Sequence, residues 1–563
     1  MEKGGDTRLA QIYFYRGYTE YTQGNYPDAI INFSKAYLSD KEGYYGELAY
    51  LYIGISYAHV SYRKGNKEGL LSAVAYLNMY PYYYKKATYL FLQKEFIGDT
   101  FIMLNFYDKA RDIFLSLYKD TGRVDYLLKF LYADALYGGS SASLLDTVDP
   151  SSLLEKEYLY YFVKGIYAFN GGNYKDAMQN FARARELNRY LEEDPEFLYR
   201  YAVSSFLEKD WRRAVFYFEL LDRKDLYKKY ADSMNYYLAL LYLMNKNYGD
   251  ARNRIQELLS SDGIKSSLLI AQLWLYPEFI KKYESLFKNY KKDLVKIGWK
   301  YINSIYSIPA ILGMYYYALE EGKVEDRELL RLKKLQLPSE IVFKDIRIET
   351  EPMLKKLREK FKEKDPYGRD GDFMIELYKI NAKNYALLFG YEALARAVVY
   401  RGLREYRAVV ERVEEPIRSF LLGQLLLLDG MEEGVKLIEN AHKTLSGEDK
   451  QEALFILGLY RKDPKMLEPL TKEKVPARFE GYLSLTYLEL GDYYYDRRDY
   501  TRAKEYYRKY LEKAEEDDTF WLTAYKYAKA GERTGDREAI NWVVKRAEKK
   551  DNILSRVIIA IWG

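Results

Sequence analysis

Small and large apolar residues recur along this chain at one fixed interval. Gly17 is followed twelve residues later by Ala29, then by Phe33 and Ala36. Gly165, Ala177, Phe181 and Ala184 repeat the interval, as do Ala202, Ala214, Phe218 and Leu221, then Ala239, Ala251, Ile255 and Leu258. Near the carboxyl end Gly491, Ala503, Tyr507 and Tyr510 keep the same spacing. Such a pattern predicts helical hairpins stacked in a row, with small side chains where backbones approach and rings filling the space between neighbours. The clearest units fall at 10–43, 158–191, 195–228, 232–265 and 484–517, and a further one at 89–119 carries Gly98, Ala110 and Phe114 in register. A bulky residue at any of the small positions would overpack a helix contact, at a cost of ~1–3 kcal/mol.

Turn chemistry supports helices nearly throughout. Pro is scarce, and Pro81, Pro150, Pro195 and Pro416 fall at hairpin junctions, where a Pro ends one helix or sits in the first turn of the next. Tight turns are written Gly-Asn-Tyr at 24–26 and 172–174, and Lys-Asn-Tyr at 246–248. Gly or Asn there closes a helix in the left-handed conformation. Asp28, Asp176 and Asp250 then place negative charge in the first turn of the next helix, where the dipole favours it.

The periodicity also divides the chain. Helical repeats are expected over 1–135, a loop over 136–157 around GGSSAS (138–143), and central repeats over 158–265. A degenerate region and joint follows over 266–371. There Pro338, Pro352 and Pro366 lie close together and Ile341 to Ile348 reads as extended. Repeats return over 372–563, with hairpins at 382–411, 417–444, 451–469, 484–517 and 519–549. The apolar segment Ile553 to Trp562 is expected to cap the last hairpin, because a terminal repeat otherwise leaves its apolar face bare.

These residues resemble the tetratricopeptide repeat, best at Tyr487, Leu490, Gly491, Tyr494, Ala503 and Tyr507. The resemblance implies an all-α, right-handed superhelical solenoid of antiparallel helix pairs. It also implies a scaffold that holds peptides or whole proteins on a concave face lined by the first helices. In that family the lining residues stand three before, one after and four after the conserved small residue. Here they are Phe14, Tyr18 and Tyr21, then Phe162, Ile166 and Phe169, then Tyr199, Val203 and Phe206, then Tyr236, Leu240 and Leu243. Family members that grip a terminal carboxylate use Lys and Asn at these positions, so no such clamp is expected in these units. Two readings of the apolar stripe follow. Tight winding buries it against facing repeats, or it forms an aromatic groove for an apolar or amphipathic segment of another protein.

Composition narrows the chemistry. There is no Cys, which excludes disulfides and thiolate metal sites, and the only His residues are His59 and His442, far apart. No catalytic residues, metal or cofactor are expected, and the chain is read as a non-enzyme. Net charge is +5 over 563 residues, so another protein or peptide is the expected partner and nucleic acid is not. The basic runs Lys281 to Lys300 and Lys355 to Lys364 read as amphipathic helices with solvated Lys faces. DPYGRDGD (365–372) lacks the closing Glu of a calcium loop and reads as a turn. Tyr is the outlier at 64 residues, an amphipathic ring that packs between helices with its hydroxyl reaching water.

No run is long and apolar enough to cross a bilayer; Phe420 to Leu428 is about half the ~20 residues needed. Two origins fit the amino end MEKGGDTRLAQ, a cytoplasmic chain or a mature exported one. For an exported chain a second function enters: an envelope-associated protein whose aromatic faces stack on cell-wall glycan, or which aids assembly of an envelope or secretion complex. Absence of Cys beside abundant Lys and Glu also matches proteins from hot environments.

Overall fold

A computed structural model of the chain describes residues 6–224, 228–261, 263–324 and 326–563. Residues 1–5, at the amino end weighed above, lie outside them, as do short parts of the 195–228, 232–265 and 266–371 spans. The described residues form two compact units. The first comprises the described residues up to 287 with Val342–Ile348, and the second those of 288–341 with 349–563.

The first unit is a succession of helix pairs, each packed on the next. They run Thr7–Thr22 with Tyr26–Ser39, Tyr44–Arg63 with Lys67–Asn78, and Leu90–Met103 with Tyr107–Thr121. After the helix Val124–Tyr137 come Glu157–Asn170 with Tyr174–Leu187, Pro195–Leu207 with Trp211–Lys224, and Ala231–Met244 with Tyr248–Leu259. The pair at 44–78 has the same build as its neighbours, although the sequence pattern did not single it out. Its Gly54 faces Leu77 with the Tyr76 ring beside it, at a longer spacing than in the stronger repeats. Between Val124–Tyr137 and Glu157 the expected loop is made of two 3-10 turns, Ser141–Thr147 and Pro150–Lys156. The buried Asp134 carboxylate anchors the first by accepting from the Ser141 N–H at 3.1 Å.

The recurring interval has a direct steric cause. A Cβ added to Gly17 would stand 2.7 Å from the ring of Phe33, and one added to Gly98 would stand 2.7 Å from the ring of Phe114. Each ring is fully buried, so the first helix of a pair must be bare where the second inserts its aromatic residue. Turns repeat as well. Gly24 and Gly172 adopt φ of 79° and 78°, and Lys209 and Lys246 hold the equivalent positions at 63° and 57°.

The second unit is less regular at its start. Helix Ile308–Glu321 packs against both Tyr290–Lys300 before it and Glu351–Lys362 after it. The latter two bury Leu294 and Ile297, and Met353, Leu357 and Phe361, and leave lysines such as Lys292, Lys296, Lys355 and Lys362 exposed. The DPYGRDGD segment is a turn only in its first half; from Arg369 it is the opening of the helix Arg369–Ile380. Pairs then resume as Ile417–Leu428 with Glu433–His442, Gly447–Arg461 with Pro464–Leu470, Glu480–Asp496 with Tyr500–Leu511, and Asp518–Thr534 with Arg537–Ala547. The last helix, Ile553–Trp562, starts on a reciprocal cap between Asn552 and Ser555. It buries Ile558 and sets Trp562 5.5 Å from the ring of Tyr525. Its other face leaves Ile553 and Ile561 exposed.

Among the described residues the single sheet is a two-stranded hairpin, Glu340–Phe343 with Ile346–Glu349. It accounts for the extended reading of Ile341 to Ile348. No helix is long and apolar enough to cross a membrane among the described residues.

Candidate functional site

All twelve residues of the expected lining lie in the first unit. Phe14, Phe162, Ile166, Tyr199, Val203, Tyr236, Leu240 and Leu243 are buried; Tyr21, Phe169 and Phe206 are half-buried, and Tyr18 is exposed. Part of the cover is the next pair in the stack. The rings of Phe14 and Tyr18 both meet Tyr52, at 5.6 and 5.7 Å, and Phe162 packs on Phe197 of the next pair as well as on Phe181 of its own.

The rest comes from residues far along the chain. The Lys229 ammonium donates to Asn105 Oδ1 at 2.9 Å and to the Tyr107 hydroxyl at 2.8 Å. It also pairs with Glu196, which is clamped from the other side by Arg200. Burial alone would raise the Glu196 carboxyl, but Arg200 and Lys229 hold it down at about 2. Neighbouring Asp194 is pushed up to about 6, by its burial and then by the charge of Glu196. Arg200 lies 5.7 Å over the ring of Phe169. Eight of the twelve side chains are thus buried, and the charge cluster meets the face at Phe169.

An open groove exists in the second unit instead. It encloses about 950 Å³ between successive first helices. Tyr400, at the end of the helix Glu392–Tyr400, and Leu428, Tyr460 and Leu485 line it, one from each of four helices, and are about half exposed. Beneath them lies a polar floor. Arg396 donates to both oxygens of Asp449, at 2.5 and 2.8 Å, and to the Tyr367 hydroxyl at 3.1 Å. Arg478 donates to Glu448 at 2.5 Å and stacks 4.2 Å over the Tyr367 ring, while its buried Nε makes no hydrogen bond. Glu452 lies between them, with the Tyr482 hydroxyl 3.5 Å away. Burial pushes the Glu452 carboxyl up to about 7, and Asp449 adds to the shift against the opposing pull of Arg478 and Arg396.

The sequence carried a signal for this groove. The same register of residues one and four after a small first-helix residue gives Arg396 and Val399 from Ala395, Gln424 and Leu427 from Gly423, and Leu459 from Gly458. All five line the groove. The interval to the second-helix ring is what fails here. Gly423 meets Ile438 and Gly458 meets Leu467, both aliphatic and at shorter spacing, so these pairs read as hairpins at 417–444 and 451–469 without marking a lining.

Among the described residues no group of three or more His, Asp or Glu could hold a metal ion. The groove can bind, position and desolvate a segment of another molecule.

No known sequence family and no curated protein matches this chain. Solved structures do match. The P58(IPK) TPR domain is 13% identical over 82% of this chain and 99% of that one, with a TM-score of 0.26. The pentatricopeptide repeat protein PPR10 from maize is 12% identical over 97% of this chain and 80% of that one, at 0.27. Yeast Tom70 is 14% identical over 83% and 99%, at 0.20. At these scores the likeness positions no residue, and the tetratricopeptide-like architecture rests on the helix pairs themselves.

Proposed function

We propose that this chain is a non-catalytic scaffold that holds a segment of a partner protein, and that the groove of the second unit is its seat. One observation carries the reading: Tyr400, Leu428, Tyr460 and Leu485 present apolar surface into one groove above a floor of paired charge. Exposed apolar surface gathered this way marks an interaction site, and aromatic anchors over a desolvated polar floor are the usual make-up of a binding hot spot. The occupant that fits is an amphipathic segment with apolar anchors on one side, rather than a nucleic acid, since the basic runs lie outside the groove lining. Of the twelve residues in the first unit, Tyr18, Tyr21, Phe169 and Phe206 keep enough exposure to add to partner contact.

The test is a comparison of captured partners. Leu428→Asp with Leu485→Asp is expected to remove a specific protein that the parent chain captures, with melting unchanged, while Leu38→Asp on the exposed surface of the first unit leaves capture intact. Equal capture by the double variant would overturn the assignment of the groove.

A further inference from the structure

The segment Val342–Ile348 (VFKDIRI) forms the tip of the two-stranded hairpin and packs as part of the first unit. A hairpin of two four-residue strands has little stability of its own in water. Its turn residue Lys344 also sits at φ 52°, an unfavourable conformation for a residue with a Cβ. What holds the tip is therefore what it touches.

It touches three successive hairpins of the first unit and the short helix Ile264–Ile270 that follows them. The Tyr199 hydroxyl donates to the Asp345 carboxylate. Lys265 places its ammonium 3.4 Å from the other carboxylate oxygen. The Tyr237 hydroxyl donates to the backbone carbonyl of the same Asp345, at 2.6 Å. Two residues on, the Arg347 guanidinium donates to the Tyr174 hydroxyl and lies 5.4 Å over its ring. Tyr199 and Tyr237 are buried, and burial followed by the negative charge of Asp345 pushes both phenols well up. They remain neutral donors.

This arrangement reads one acidic residue twice, by its side chain and by its main chain, and then reads an arginine two places further on. We propose that it is a ligand site filled from within. The face built by Tyr174, Tyr199, Tyr237 and Lys265 recognises an Asp-x-Arg turn, Asp345 and Arg347 of this chain occupy it, and a partner protein bearing the same turn competes for it. The polar bonds of the tip are hydroxyl, ammonium and guanidinium contacts, made beside the buried side chains of Ile346 and Ile348, and a second segment with the same turn supplies both kinds of contact. The surface is distinct from the groove of the second unit, so either assignment stands or falls without the other.

The probe is a fluorescein-labelled cyclic peptide of sequence VFKDIRI, titrated with the full chain and read by anisotropy. Parent protein is expected to bind it weakly, because the site is filled. Asp345→Ala removes the carboxylate contacts to Tyr199 and Lys265, loosens the tip's hold on the site, and is expected to bind the peptide at least tenfold more tightly. Adding Lys265→Ala, or replacing the peptide's aspartate by alanine, is expected to reverse the gain. A folded Asp345→Ala chain that binds the peptide no better than the parent overturns the proposal. Where that variant fails to fold, hydrogen exchange on the parent decides. Saturating peptide is expected to speed exchange at 342–348 at least threefold with the helices of the first unit unchanged, and unaltered exchange there overturns it equally.

Discussion

Gly165 lies under the ring of Phe181 so closely that a Cβ on Gly165 would stand 2.5 Å from Cε1. Gly491 lies under Tyr507 in the second unit at the same 2.5 Å. In each case the ring follows sixteen residues after the glycine, one helix and one turn later. The relation ties sequence to packing: the ring is the filling between paired helices, and the missing side chain is the space it occupies.

Gly165→Ala is accordingly expected to destabilise, although alanine is the better helix former by about 1 kcal/mol. Overpacking at such a contact costs ~1–3 kcal/mol, which outweighs the propensity gain. Gly249→Ala is the control, because a Cβ there meets nothing within 4 Å. It is expected to be neutral or stabilising. A repeat array need not unfold in one step, so hydrogen exchange at the 157–187 pair is the readout that separates the two variants.

Lys209 and Lys246 stand where Gly24 and Gly172 stand in other repeats, all with positive φ. A residue with a Cβ is disfavoured there by about 1–2 kcal/mol, and a glycine also gains freedom in the unfolded chain. The net expectation for Lys246→Gly is a stabilisation of about 0.5–1 kcal/mol, read as an upward shift in the urea midpoint. An unchanged or lowered midpoint would mean that the lysine makes a compensating contact.

These two features were legible in the sequence because they are local and periodic. The aromatic face was legible as a set of residues and not as a surface. Phe14 and Phe162 announce themselves by register, but nothing in register says that Lys229 reaches Asn105 and Tyr107, or that Asp345 meets Tyr199. Such contacts join residues more than 100 positions apart and leave no spacing to read. The groove of the second unit was hidden for a different reason. Its hairpins use Ile438 and Leu467 where others use an aromatic ring, so the interval was broken while the register of Arg396, Gln424 and Leu459 survived.

The carboxyl-terminal helix makes its own prediction. Ile558 and Trp562 pack on the last helix pair, whereas Ile553 and Ile561 face out. Removing residues 553–563 is expected to lower the melting temperature of the second unit and to speed exchange in Asp518–Thr534, with native mass unchanged. Ile561→Lys, on the outer face, is expected to leave stability within about 0.5 kcal/mol of the parent. A truncation that instead halves the mass would make the helix a dimer contact.

Glu452 should make the second unit less stable as pH rises across neutrality. Its carboxyl titrates at about 7 in the folded chain, against an ordinary 4.5, because burial disfavours the charged form. Between those values the folded state holds a proton that the unfolded state has lost. The stabilisation is therefore fully present below 4.5 and is lost as pH climbs through about 7, with a ceiling of about 3 kcal/mol. Glu196 in the first unit has the opposite sign. Held at about 2, it contributes stability above its ordinary value and loses it only as the solution becomes strongly acidic. The two effects fall in separate windows and separate units. Hydrogen exchange in Gly447–Arg461 at pH 5 and pH 7.5 is expected to show weaker protection at the higher pH, beyond the intrinsic rate change. Glu452→Gln keeps the shape and removes the titration, so it is expected to flatten that difference. A variant that keeps the parent's full pH dependence would place its source at another group.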